Sequence, residues 1–156
     1  MLFRSYPVLL QDESPRILAY QPATAVAEKF QAMIEIGLVN SRMKDYHDIW
    51  MLSRTLEFDG QDLADAMSAT FRRRDTDVPS KTPAELTSEY TGQPETSRMW
   101  DTYRKGFSAS AGNLPEDLQD VADAIAAFVM PASVAAASGA DFGKTWTPIS
   151  GWAQES

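Results

Sequence analysis

A mainly α fold is expected for this chain, a helical bundle with one or two short strands at its N-terminus. Apolar residues recur at helical spacing in several separate stretches, while extended candidates are confined to two short runs near the start. With no cysteine among the 156 residues, neither a disulfide nor a thiolate metal site can stand in for a core. By length the chain is one domain, able to bury roughly two-thirds of its unfolded surface.

The first elements are the runs YPVLL at 6–10 and RILAY at 16–20, which read as strands separated by the turn-like QDESP. A lone hairpin is marginal in water, so residues 1–21 are expected to be the remnant of a sheet and 22–156 a helical domain. Pro22 suits a first helical residue, Gly37 suits a C-terminal stop, and Asn40 or Ser41 can cap a second helix ending at Leu56. Asp59-Gly60-Gln61-Asp62 opens a third, carrying Leu63, Ala66, Met67, Thr70 and Phe71, and Arg72, Arg73 and Arg74 close it. Those arginines complement the negative end of the helix dipole; contact with a triphosphate or an RNA backbone is the alternative.

The stretch 76–94 is rich in Thr, Ser and Pro and connects, with a short helix opened by Thr82-Pro83-Ala84-Glu85. Residues 94–107 then read as a helix with Met99, Trp100, Tyr103 and Phe107 on one side. Core packing is the default for such a stripe, and stacking of a base on Trp100 or Tyr103 is the other option. Leu114-Pro115-Glu116-Asp117 opens the longest helix, expected to break at Pro131, and Phe142, Trp146 and Trp152 are expected to pin the tail back.

Two charges fall where apolar residues are expected. On helical wheels Lys29 lies within the arc of Val26, Phe30 and Met33, and Asp45 falls between Leu52 and Leu56. A lone buried charge costs several kcal/mol or shifts its pKa. One cation and one anion on adjoining inward faces therefore pair, or they line a polar cleft. The plainer account is a snorkelling lysine and an Asp serving a helix start.

The bulk composition narrows the functional classes. A net charge of −8 and a pI near 4.6 argue against broad phosphate-backbone binding, and one histidine, His47, rules out a His-rich metal site. No Walker or Rossmann phosphate loop occurs. The first residues do not read as a signal peptide, and the apolar run from Ala124 is interrupted by Pro131 and serines, so no membrane span is expected and a cytoplasmic location is.

AEKFQAM at 27–33 and NSRMKDYHDIW at 40–50 resemble two motifs of the AbiEii/AbiGii-type nucleotidyltransferase toxins of bacterial toxin-antitoxin and phage-defence systems. YPVLLQ, Phe58-Asp59-Gly60, ATFRRR at 69–74 and FGKTWTP at 142–148 are similar to further parts of that family. The resemblance implies the back half of a nucleotidyltransferase, with residues 1–21 left from its sheet. It implies that Lys29 and Lys44 bind the nucleotide phosphates, and that Asp45, Asp48 and Lys29 act at the reacting groups, the carboxylates as base or orienting group. Lys44 also sits four residues before Asp48, the spacing of an ordinary surface pair.

Mg2+ and a nucleoside triphosphate are implied for the complete family protein, as are an antitoxin partner and tRNA or another RNA as acceptor. The family's leading Gly-Ser segment and metal-holding Asp-x-Asp pair are not found in these residues; Asp75-Thr76-Asp77 follows no Gly-Ser turn. The expectation is a chain inactive by itself. The alternative is a non-catalytic helical interaction module left by truncation.

Overall fold

The computed structural model describes residues 15–37, 42–106 and 114–154, with side chains from residue 21 onward. The mainly α expectation holds: among the described residues, six helices and a 3-10 turn stand with one small antiparallel sheet. Helix α1 (Pro15–Ile36) starts on a proline, where the missing N–H costs nothing. Residues 16–20 are thus helical and not extended. Arg, Leu and Ala in that run are strong helix formers, and Pro15, read as part of a turn, opens the helix instead. Pro22 lies inside α1, and YPVLL is outside the described residues. The helix buries Ala23, Val26, Ala27, Phe30 and Met33, and Gly37 follows it at a φ of 80°.

Helix α2 (Met43–Thr55) buries Met43, Tyr46, Ile49 and Trp50, with Asp45 among them. Arg42 occupies its N-cap; Asn40 and Ser41 lie outside the described residues. Helix α3 (Gly60–Arg73) begins as expected, with the Asp59 carboxylate accepting from the Asp62 N–H at 3.1 Å. It packs along α1, where the Phe30 and Phe71 rings stand 5.9 Å apart. Its end is a Schellman turn, with Thr76 N–H bonded to Phe71 C=O at 2.9 Å and Asp75 N–H to Arg72 C=O at 3.1 Å. Asp75 takes a φ of 54° there, a position that favours glycine.

The connecting stretch is packed more closely than its composition suggests. The 3-10 turn Ala84–Leu86 and the short α4 (Ser88–Thr91) put Leu86 and Tyr90 into the core. Tyr90 stacks on Tyr46, whose hydroxyl donates to the Glu85 carbonyl at 2.8 Å. Helix α5 (Pro94–Lys105) buries Trp100, and its indole N–H donates to the Pro115 carbonyl at 3.0 Å. Phe107 is outside the described residues.

Helix α6 (Leu118–Ser138) runs straight through Pro131, where a break was expected. Pro131 and Ala127 are both exposed, so the ring faces water and so does the carbonyl it deprives of a partner. By length and composition α6 would suit a membrane crossing, and 50% of that window is buried inside the fold. It packs against α2, α3, α4 and the 3-10 turn through Val121, Ile125, Phe128 and Val129.

The tail is held as a hairpin, a form periodicity did not suggest. Strands β1 (Phe58–Asp59), β2 (Lys144–Thr147) and β3 (Gly151–Gln154) pair antiparallel in that order, with Phe58 opposite Trp146 and Trp146 opposite Trp152. Trp146 donates its indole N–H to Ser53 C=O at 2.7 Å, and Trp152 to Phe128 C=O at 2.9 Å. Gly60 is where this hairpin comes closest to a helix. A Cβ there would sit 2.6 Å from both the Lys144 carbonyl oxygen and the Phe142 ring. Gly60→Ala is expected to cost about 1–3 kcal/mol, as overpacking does, read as a lower urea midpoint. An unchanged midpoint would contradict the close approach.

Candidate functional site

The site forms where the middle of α1 meets the first turns of α2. Lys29 is partly exposed at the edge of the α1 stripe, while Asp45, in the first turn of α2, is 2% exposed. The two side chains do meet: Lys29 Nζ lies 3.8 Å from Asp45 Oδ1 and 3.0 Å from Asp48 Oδ2. Lys44 Nζ reaches the same Asp48 oxygen at 2.8 Å, so one carboxylate oxygen gathers two ammonium groups. Arg42 completes the set, its Nε 2.7 Å from Asp45 Oδ2. Among the described residues three cations thus gather on two carboxylates, at the positive end of the α2 dipole.

The two carboxylates titrate in opposite directions. Burial pushes Asp45 up, and the Arg42 and Lys29 charges only partly offset it while Asp48 adds to the rise. Burial also works against the Asp48 carboxylate, but there the hydrogen bonds from Lys44 and Lys29 prevail and hold it below the ordinary range. Neighbouring acids with separated affinities for the proton are suited to different tasks. Asp45 is the more basic, hidden one. Asp48 stays ionised and tethers the lysines.

Two further groups border the cluster. His47 is partly buried, and its Nδ1 lies 2.9 Å from the Tyr103 hydroxyl on α5. Burial lowers the His47 pKa, with Asp48 and Lys44 acting in opposite senses, so the imidazole is neutral at pH 7. The Tyr103 hydroxyl is pushed up, by burial first and then by the charges of Asp48 and Asp45. Arg42 could have been found from its i,i+3 spacing to Asp45. Tyr103 could not, since it reaches α2 only through tertiary packing. Away from this cluster, Arg73 pairs with exposed Glu28 at 3.2 Å and all three closing arginines are exposed. Such a surface pair contributes about 0–1 kcal/mol.

A divalent metal does not fit this donor set. Among the described residues no group of three or more His, Asp or Glu could hold one, and both carboxylates are already engaged by ammonium or guanidinium groups. What the cluster suits is an anion, taken by cations that exchange a carboxylate oxygen for a phosphate oxygen. A family model described as the nucleotidyl transferase AbiEii toxin of type IV toxin-antitoxin systems matches residues 2–131. No curated protein and no solved structure matches the chain.

Proposed function

Because the chain belongs to the AbiEii nucleotidyltransferase toxin family, we propose that its Lys29–Asp45–Asp48 cluster orients a nucleoside triphosphate for transfer to RNA. The family is that of a toxin in a toxin-antitoxin system, which implies an antitoxin partner and a divalent metal with the triphosphate. The observation that carries the reading is the meeting of Lys29 and Lys44 on one Asp48 oxygen, with Lys29 also 3.8 Å from buried Asp45. In this proposal Lys29 and Lys44, held at one Asp48 oxygen, receive the phosphates. Buried Asp45, with its raised proton affinity, accepts the proton of the attacking hydroxyl. A metal would supply charge neutralisation at the phosphates from outside this cluster.

The family's Gly-Ser and Asp-x-Asp motifs are not among these residues, and the proposal includes that turnover needs a segment carrying them. A role in phage defence and a cytoplasmic location, compatible with the cysteine-free composition, belong to the same reading. A second reading, a helical module that docks the antitoxin without catalysis, is favoured by Ile149, 96% exposed at the hairpin tip, and by Met51 and Leu56 on and just after α2.

Labelled-nucleotide incorporation into RNA separates the two readings. The chain alone is expected to be silent, and the chain mixed with a Gly-Ser/Asp-x-Asp segment is expected to incorporate label. Lys29→Ala should reduce that signal about 10²–10³-fold, the range for losing a charge-stabilising donor. Turnover by the chain alone would overturn the requirement for a second segment. Silence in every mixture would overturn the enzyme.

A further inference from the structure

Asp45 carries a different cation on each of its two oxygens. Lys29 of α1 approaches Oδ1 to 3.8 Å, while the Arg42 guanidinium stands 2.7 Å from Oδ2. The two contacts are not equivalent. Lys29 sits closer to Asp48, at 3.0 Å, and is a group that turns to phosphate in the reading above. Arg42 belongs to the same turn of chain as Asp45, whose backbone N–H bonds to the Arg42 carbonyl at 3.0 Å. A nucleotide that draws Lys29 away therefore leaves Arg42 in place.

Helix capping does not account for this side chain. Arg42 stands at the N-cap of α2, yet its side chain caps no helix N–H and is 53% exposed. Its partner is different, since Asp45 lies in the interior at 2% exposure. The pair thus joins a guanidinium at the rim to a carboxylate inside. A guanidinium stays charged at every working pH, so its hold on Oδ2 does not lapse.

We propose that Arg42 is the positioning residue for Asp45: anchored on Oδ2, it keeps the carboxylate oriented and ionised, so that Oδ1 receives the proton of the attacking hydroxyl. The inference rests on the nucleotidyl-transfer reading above and adds the group that prepares its base. In the transfer step Oδ1 takes the hydroxyl proton, the freed oxygen bonds to the α-phosphorus, and the bond from that phosphorus to the departing pyrophosphate breaks. Arg42 touches none of these atoms and acts only through Asp45. Besides Arg42, the titratable and charged groups that face Asp45 among the described residues are Tyr46 and Asp48 of its own helix, Lys29 of α1 and Tyr103 of α5. Both tyrosines are pushed up and stay neutral through the acid range, and Asp48 is held low, so Asp45 titrates there against fixed charges.

Two measurements on the full chain test the role. The first follows the Asp45 carboxyl by carbon NMR, its signal assigned as the one missing from Asp45→Asn. Removing a cation disfavours the charged carboxylate, so Arg42→Gln should raise the Asp45 midpoint by about 1 pH unit or more, and Arg42→Lys should restore most of it. Arg42→Ala should match Arg42→Gln, so the outcome does not hang on the fold of one variant. The second measures nucleotide incorporation with the complementing segment as pH is varied. In Arg42→Gln the rising limb of kcat should move to higher pH with the midpoint, while KM for the triphosphate stays unchanged. An unmoved Asp45 midpoint in both neutral variants overturns the positioning role. So does a raised KM with an unmoved limb, which would make Arg42 a phosphate ligand. The transfer reading fails separately, and this role with it, if the parent chain is silent in every mixture whatever its titration.

Discussion

Phe128→Ala is expected to lower the free energy of unfolding by about 3–5 kcal/mol, the cost of emptying a buried aromatic site. The ring is fully buried and stands 4.9 Å from Phe58, 4.8 Å from Trp146 and 6.1 Å from Trp152. Those neighbours come one from each strand, so truncation at a single helix position undermines all three. The cavity cannot close easily, because Trp146 and Trp152 are tied by their indole N–H groups to Ser53 and Phe128 carbonyls. Urea unfolding followed by tryptophan fluorescence measures the loss. A change below about 1 kcal/mol would contradict the place given to Phe128, and Phe128→Leu should cost less than Ala because it leaves a smaller void.

Asp45→Asn is expected to cut nucleotide incorporation by the chain and its complementing segment about 10²–10⁴-fold, the usual contribution of a positioned acid–base group. The same change should leave the fold at neutral pH as stable as before, or more so. Both effects follow from burial, which holds the Asp45 carboxyl above its ordinary pKa despite Arg42 and Lys29. With the folded pKa above the unfolded one, the folded state binds more protons between the two, so stability falls as pH rises through the raised value. Above it the ionised carboxylate is a standing cost that asparagine does not carry.

Asp48 and His47 run the other way. Their folded pKa values lie below the ordinary ones, so their stabilisation is present above the unfolded pKa and is lost as pH falls through the folded value. Melting curves of the parent and of Asp45→Asn at about pH 4 and about pH 8 isolate the Asp45 contribution. The variant should gain on the parent as pH rises. A loss of about 3–5 kcal/mol at neutral pH, as when a buried pair is broken, would sink this account.

The site was partly legible because its two main charges violate the helical pattern. Lys29 and Asp45 stood out against Phe30, Met33, Ile49 and Leu52, and an ion pair between facing helices is the simplest remedy for such a violation. Asp59 was readable as the start of α3 for a similar reason, since an N-cap is a local device. His47 and Tyr103 were not legible as partners, because wheel geometry knows nothing of α5. Residues 16–20 and Pro131 misled in a common way. Pro15 was read as part of a turn and Pro131 as a break, while at the first position of α1 and on the wet side of α6 proline costs a helix little. The hairpin was hidden for another reason: β1 has two residues, too few for any alternation, and its partner lies far along the chain.

The pairing of Phe58 with Trp146 also orders events in time. Helices close their own hydrogen bonds locally, but this contact must first bear the entropy of closing a long loop. Synthesis proceeds from the N-terminus, so the ribosome delivers residues 144–154 after every helix described above. Until they emerge, the aromatic face around Phe58 and Phe128 lacks its cover, and the nascent chain is at its most adhesive just before the sheet closes.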